Sequence, residues 1–349
     1  MKTINNTPHD PLAVLRRTFW AKERLDAGEL PIDETGRAFR LLIIVMGAGW
    51  GGAFGAGIAH ALQDAGLNQI PEAIVGISSG VMTGIGLATG NAHELVPFYA
   101  GLLSEERLIE KMNPPIPQKK QKVRKGKIKL KEHVIDEVNK LLGDDAIHQV
   151  HMGLYAVVTE SPHGKGKLVD LKNRRNPFRW IDVAHASMAV PGIFPKVKLG
   201  DVECVDGAAS LPVPLIEAIR IVRPTDILII GSRPLPDEIH WTEHALFQWY
   251  TQVTLRFSDT SAAIRRGMER IDERTLRALR RMSKLAKAHI NCLAIFPSSA
   301  EALFPIPVPF FHPLTPLLIS EVGARARSLM KEVLVEVQKT PKRTVILED

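Results

Sequence analysis

Between residues 41 and 90 the chain repeats one local plan: an apolar run, a glycine-containing turn, then a helix-like stretch. The first run, Leu41-Leu42-Ile43-Ile44-Val45-Met46, is continuous and partly β-branched, which suits a strand buried on both faces. It breaks into Gly47-Ala48-Gly49-Trp50-Gly51-Gly52, and a helix is expected from about Ala53 to Ala65, closed by Gly66. The second run, Ala73-Ile74-Val75, leads into Gly76-Ile77-Ser78-Ser79-Gly80 and another helix. A strand that returns through a helix re-enters its sheet parallel to where it left. The repeated plan therefore confines the chain to the α/β class, with a sheet of parallel strands.

Further strands are expected at 152–158, 166–170, 202–205, 226–230 and 290–295. Pro162-His163-Gly164 reads as a hairpin turn between Gly153–Thr159 and Gly166–Leu171. Residues 1–37 are polar and read as an extension carrying one short helix. Residues 110–131 read as a basic, proline-containing insertion, and 241–288 as a region of long basic helices. Arg265, Arg266, Arg270, Arg274, Arg277, Arg280 and Arg281 in that region read as a solvated face. A last helix is expected over 318–338. Beyond that shared plan no internal sequence repeat is visible, and no linker clearly splits the chain.

At 349 residues the chain is long enough for a sizeable core. Two cysteines, Cys204 and Cys292, lie in apolar runs and read as reduced core thiols, not as a disulfide scaffold. No Cys/His cluster has metal-ligand spacing, so no metal site is expected. No run of 18 apolar residues exists, and the N-terminus lacks the apolar stretch of a secretory leader. The expectation is a cytoplasmic protein with peripheral access to membranes; leaderless export would leave no trace in the residues.

The net charge of +7 favours anionic surfaces. Much of it is local, in Lys119, Lys120, Lys122, Arg124, Lys125, Lys127, Lys129 and Lys131. Such a run is either a solvated loop or a contact with anionic lipid, where each basic residue adds roughly 1 kcal/mol near the surface. It contains no aromatic residue on which bases could stack, so no specific nucleic-acid partner is expected.

Three segments carry chemistry. Gly76-Ile77-Ser78-Ser79-Gly80 is a G-x-S-x-G sequence between a strand and a helix, the context of a nucleophile elbow. Gly76 and Gly80 would be required because a Cβ at either position would strike the neighbouring strand or helix. The alternative is an ordinary Gly/Ser turn. The turn 47–52 also fits a dinucleotide-binding G-x-G-x-x-G, but that reading wants an acidic residue ending the next strand, whereas Glu72 stands at its start. The better reading is an oxyanion hole, with main-chain amides of Gly47, Ala48, Gly49, Trp50, Gly51 and Gly52 at a helix N-terminus beside Ser78. The third segment is Val205-Asp206-Gly207-Ala208, an aspartate directly after an apolar strand; alone it is a common turn. A serine nucleophile needs a base. His60, His151, His185 and His312 have no telling context, and a histidine triad stays open at this point.

In order, these segments resemble the patatin-like phospholipase family. The glycine-rich turn followed by Gly57-Ile58-Ala59-His60-Ala61-Leu62 is similar to the family's opening, and residues 76–80 to its G-x-S-x-G elbow. The stretch Ala186-Ser187-Met188-Ala189-Val190-Pro191-Gly192-Ile193-Phe194-Pro195 resembles its A-S-x-A-x-P-x-x-F-P segment, and Asp206-Gly207-Ala208 its D-G-[GA] motif. The resemblance implies a three-layer α/β/α fold with a mostly parallel central sheet, and a catalytic domain spanning 38–340 behind the 1–37 extension. It implies a Ser78–Asp206 dyad without histidine, hydrolysing acyl esters of lipids with no cofactor. Acyl transfer or thioester cleavage on the same dyad, or an idle lipid- or partner-binding protein, are the alternatives. The chain departs from the family pattern at Ala48, Gly51 and Pro212, where Gly, a basic residue and Asn are usual.

Overall fold

A computed structural model describes residues 1–7, 10–48, 51–104, 139, 145–173, 178–235, 255, 260–298 and 315–339. The basic run 119–131, Gly49, Trp50 and His312 lie outside the described residues, as does most of 236–259.

Among the described residues nine strands form one sheet: β1 (Lys2–Asn5), β2 (Leu41–Val45), β3 (Ala73–Ile77), β4 (Gly153–Ser161), β5 (Lys165–Asp170), β6 (Val197–Leu199), β7 (Val202–Asp206), β8 (Asp226–Ile230) and β9 (Asn291–Phe296). Their order is β1-β9-β8-β2-β3-β4-β7-β6, with β5 also paired to β4. From β9 to β4 every pairing is parallel, and β1, β5 and β7 run against that direction. The mostly parallel α/β sheet that the apolar runs imply is therefore present.

The runs are continuous because the strands are covered on both faces. Leu41, Ile43 and Val45 point into one core, and Leu42, Ile44 and Met46 into the other. The first core packs under α1 (Ala13–Asp26), α2 (Gly52–Asp64), α3 (Gly80–Thr89), α4 (Ala92–Ser104), α5 (Ala146–Gln149), α6 (Trp180–Met188) and, at the end of the described chain, α10 (Thr315–Lys339). The second packs under α7 (Leu215–Val222) and α9 (Ile271–Leu285). A smaller apolar cluster joins α8 (Ala262–Glu269) to β7 through Ile264, Met268 and Val205. The result is three layers, helices on both faces of the sheet. Cys204 and Cys292 are buried free thiols, one in each main core.

Residues 1–37 do more than the polar composition implies. β1 adds an antiparallel edge to β9, Asn6 Nδ2 donates to Met282 O and Ile290 O, and Val14 and Leu15 enter the core. Four residues, three of them polar, are too few to show a strand period. No described helix is long and apolar enough to cross a membrane.

One detail of register positions the candidate site. Along one edge of β4, residues Gly153–Val157 pair with β3 and residues Val158–Ser161 pair with β7. The opposite edge is occupied by β5. β3 and β7 thus approach each other end to end: Ile77 lies opposite Val157, and Asp206 opposite the next residue, Val158.

Candidate active site

Ser78 follows Ile77 directly and has φ +53°. This left-handed conformation costs a residue with a side chain about 1–2 kcal/mol, so the surroundings must enforce it. They do so through contacts that only glycine permits. A Cβ on Gly76 would lie 2.4 Å from Val81 Cα, and one on Gly80 would lie 2.2 Å from Val45 O. The Ser78 N–H donates to Ser187 Oγ at 3.1 Å. Tyr99 donates its hydroxyl to Ser79 O at 2.8 Å; burial pushes its pKa up to about 12, so it remains a neutral donor. Helix α3 starts two residues after Ser78, and its N-terminal end favours negative charge there.

Asp206 ends β7 and is 3% exposed. Burial pushes its pKa up to about 6, against the opposing pull of hydrogen bonds from the Ser78 hydroxyl and the Ala208 N–H. The Ala208 bond, to Oδ1, measures 2.8 Å. The main chain of Asp206 is held on both sides: its N–H donates to Ala189 O at 2.9 Å, and its C=O accepts from Thr159 Oγ1 at 2.8 Å. Gly207 is required for closeness, since a Cβ there would lie 2.2 Å from Val157 O.

The glycine-rich turn leaves β2 beside the elbow because β2 and β3 are parallel neighbours, with Val45 opposite Gly76. A Cβ on Gly47 would lie 2.4 Å from Ile77 O and 2.5 Å from Ser78 Cβ. Gly52 backs onto the Tyr99 ring, and Gly51 onto Ser232 O, where added Cβ atoms would come within 2.8 Å and 2.6 Å. Among the described residues of the turn, two amides have partners already. Ala48 N–H donates to Ser79 Oγ at 3.2 Å, and Gly51 N–H to Ala48 O at 3.0 Å. Ser232 ties the base of the turn by donating to Met46 O at 2.6 Å.

The structure thus brings Ser78, Asp206, Gly47, Ala48, Gly51 and Gly52 to one end of β3 and β7. His60 is elsewhere engaged: its Nε2 lies 3.6 Å from Asp64, its ring 6.2 Å from that of His93, and Arg327 and Lys331 also hold Asp64. His151 is exposed. Among the described residues, no three His, Cys, Asp or Glu side chains are grouped to hold a metal ion.

Five supporting residues escape a reading by motif: Ser79 as acceptor, Tyr99, Thr159, Ser187 and Ser232. Ser187 lies inside a segment that resembles a family motif, which is the only signal that could have drawn attention to it. Ser79 lies inside the G-x-S-x-G elbow, but its role as acceptor does not follow from the motif; Tyr99, Thr159 and Ser232 act through backbone contacts with distant residues and leave no local pattern. What the arrangement offers chemically is a strained hydroxyl next to a buried carboxylate of raised pKa, beside main-chain amides at helix N-termini.

The fit at Gly47 gives a stability test. Gly47→Ala is expected to cost about 1–3 kcal/mol, because the new methyl meets backbone and Ser78 Cβ, neither of which can swing aside. Urea unfolding should show a lower midpoint at unchanged slope; an unchanged midpoint would mean that the turn does not press on the elbow.

The sequence profile of the patatin-like phospholipases matches residues 43–219. Among solved structures, VipD from Legionella pneumophila is similar at 14% identity and a TM-score of 0.36, over 89% of this chain and 79% of that one. ExoU from Pseudomonas aeruginosa, in its heterodimer with SpcU, is similar at 18% identity and a TM-score of 0.35, over 85% of this chain. The match spans 59% of the ExoU chain. No curated protein matches the chain.

Proposed function

Since the chain belongs to the patatin-like phospholipase family, and is in that general sense a lipid acyl hydrolase, we propose that it cleaves carboxylic esters of phospholipids or lysophospholipids through a Ser78 acyl-enzyme with Asp206 as base. The observation that carries this is the meeting of Ser78 with the buried Asp206 at the adjoining ends of β3 and β7, where burial lifts the carboxylate's pKa to about 6. A carboxylate of that basicity is still ionised at neutral pH, yet accepts a proton far more readily than an exposed one.

In the proposed cycle, Ser78 Oγ attacks the ester carbonyl while its proton passes to Asp206. The carbonyl oxygen takes up the negative charge and is held by amides of the 47–52 turn. An oxyanion is a stronger acceptor than a hydroxyl, so Ala48 N–H exchanges Ser79 Oγ for it. Collapse of the tetrahedral intermediate breaks the bond to the alcohol, which leaves with the proton from Asp206. Water then gives its proton to Asp206 and attacks the acyl-Ser78 carbonyl; the fatty acid departs, and the proton returns to Ser78. The cycle consumes one water and regenerates both side chains, with no cofactor.

Fatty-acid release from phospholipid and lysophospholipid vesicles by purified protein tests the substrate class. Activity is expected to be higher on anionic than on zwitterionic vesicles and to fall as salt rises, because the basic residues 119–131 are the proposed contact with the surface. Vesicles left intact, with short esters also uncleaved, would remove the proposal. Adding competing alcohols would reveal acyl transfer as ester product.

A further inference from the structure

Helices α8 and α9 lie beyond the segment shared with the family profile, which ends at residue 219. They nevertheless touch the turn that carries Asp206. Arg274, in the first turns of α9, directs Nη1 at two main-chain carbonyls, Ala209 O and Ser210 O, each at 3.0 Å. Gly267, near the end of α8, approaches so closely that a Cβ there would lie 2.0 Å from Ala209 O. Ile264 and Met268 pack against Val205 and Ala209 in the same contact. Carboxylates next to Arg274 in sequence are engaged by other arginines: Asp272 by Arg233, and Glu273 by Arg277.

The carbonyls gripped by Arg274 belong to the short 3-10 turn that begins at Gly207 and to the residue just after it. The same turn presents the Ala208 N–H to Asp206 Oδ1. From the other side, Thr159 Oγ1 donates to Asp206 O and is hydrogen-bonded to Ser210 Oγ at 2.7 Å. The turn is therefore clamped between a strand residue and a helix residue. Arginine suits the second position. It stays charged when partly buried, and one amino group of its rigid fork has two N–H donors to direct at two neighbouring oxygens.

We propose that Arg274 is a positioning residue for Asp206: by holding the carbonyls of Ala209 and Ser210, it keeps the Ala208 amide aimed at the carboxylate that faces Ser78. The consequence for the reaction rests on the Ser78–Asp206 reading above; the clamp itself does not. Arg274 touches no reacting atom, so its removal should loosen the base without altering substrate binding.

The test compares Arg274→Met and Arg274→Lys with the wild-type full chain. For Arg274→Met, kcat on a soluble p-nitrophenyl ester is expected to fall about tenfold or more with KM within about twofold, the signature of a group that acts on the chemical step. Arg274→Lys should recover part of the loss, since one ammonium can still reach a carbonyl. Amide exchange of Ala208 should quicken about tenfold in Arg274→Met while amides of β2 and β3 keep their protection. Unchanged Ala208 exchange in Arg274→Met overturns the proposal, whatever the activity. An equal loss of protection throughout the sheet also overturns it, since Arg274 would then be a general stabiliser. If Arg274→Met fails to fold, Arg274→Lys and Gly267→Ala are read by the same exchange measurement. A wild-type protein inactive on esters would remove the dyad reading, and the Ala208 exchange would still decide the clamp.

Discussion

Ser78→Ala is expected to lower ester hydrolysis by at least about 10⁴-fold, the scale on which loss of a nucleophile acts when its oxyanion donors and binding groups survive. The variant should keep its fold. The elbow is shaped by Gly76, Gly80 and Gly47, whose missing Cβ atoms leave room for Val81, Val45 and Ile77, and by the Ser78 main-chain bond to Ser187, which alanine retains. Alanine at φ +53° bears the same backbone strain as serine. Ser78→Gly should relieve that strain and raise stability by about 1 kcal/mol, while remaining as inactive as the alanine variant. Activity and stability thus move apart at this position, and the pair of variants separates a lost reaction from a lost structure. A Ser78→Ala protein within about tenfold of wild-type activity would exclude Ser78 as nucleophile.

Asp206→Asn should be as damaging to activity and yet stabilising. The physical cause is burial: the carboxylate gains hydrogen bonds from Ser78 and Ala208, but desolvation outweighs them and pushes its pKa from 3.8 up to about 6. The folded protein therefore binds this proton more tightly than the unfolded chain does. Between about pH 3.8 and pH 6 the native state holds more protons, so this group's contribution to stability falls as pH rises. It stays unfavourable above pH 6, by on the order of 3 kcal/mol at 1.36 kcal/mol per pKa unit. Asparagine keeps an oxygen for the Ala208 amide and carries no charge. The variant should be more stable than wild type at pH 8, with the difference vanishing below about pH 4. Activity has the opposite dependence. The base must be ionised, so kcat/KM of the wild type should rise with pH along a limb centred near 6. Denaturant midpoints at several pH values, beside a pH–rate profile, check both halves. A destabilised Asp206→Asn at pH 8, or an activity limb near pH 4, would contradict the account of this carboxylate.

The contrast between Ser78 and Asp206 shows how far local sequence reaches. The elbow is legible because its constraints are local: an apolar run, a serine, and glycines two residues to either side, each avoiding a clash with an atom that the strand–turn–helix plan itself brings near. The parallel pairing of β2 and β3, and with it the place of the 47–52 turn beside Ser78, follows from the same plan. The meeting of Ser78 with Asp206 does not. It depends on β3 and β7 sharing one edge of β4 and ending at adjacent residues, Val157 and Val158, and pairing over that span has no sequence signature. An Asp-Gly dipeptide stands out only through its resemblance to a family motif. β1 is invisible for a different reason: Lys2–Asn5 is an edge strand too short to alternate. Among the arginines read as a solvated face, Arg274 points inward to main-chain carbonyls, and nothing in its sequence context separates it from Arg270 or Arg277.

Covalent trapping reaches the central claim most directly. A fluorophosphonate reacts with a serine only where a base removes its proton and amides hold the developing charge, so the site and pH dependence of labelling report on both. Mass spectrometry of the digested adduct is expected to find a single label on Ser78, forming faster as pH rises through about 6 and much slower in Asp206→Asn. A label on Ser79 or another serine, labelling indifferent to Asp206→Asn, or no label at all would contradict the proposed site.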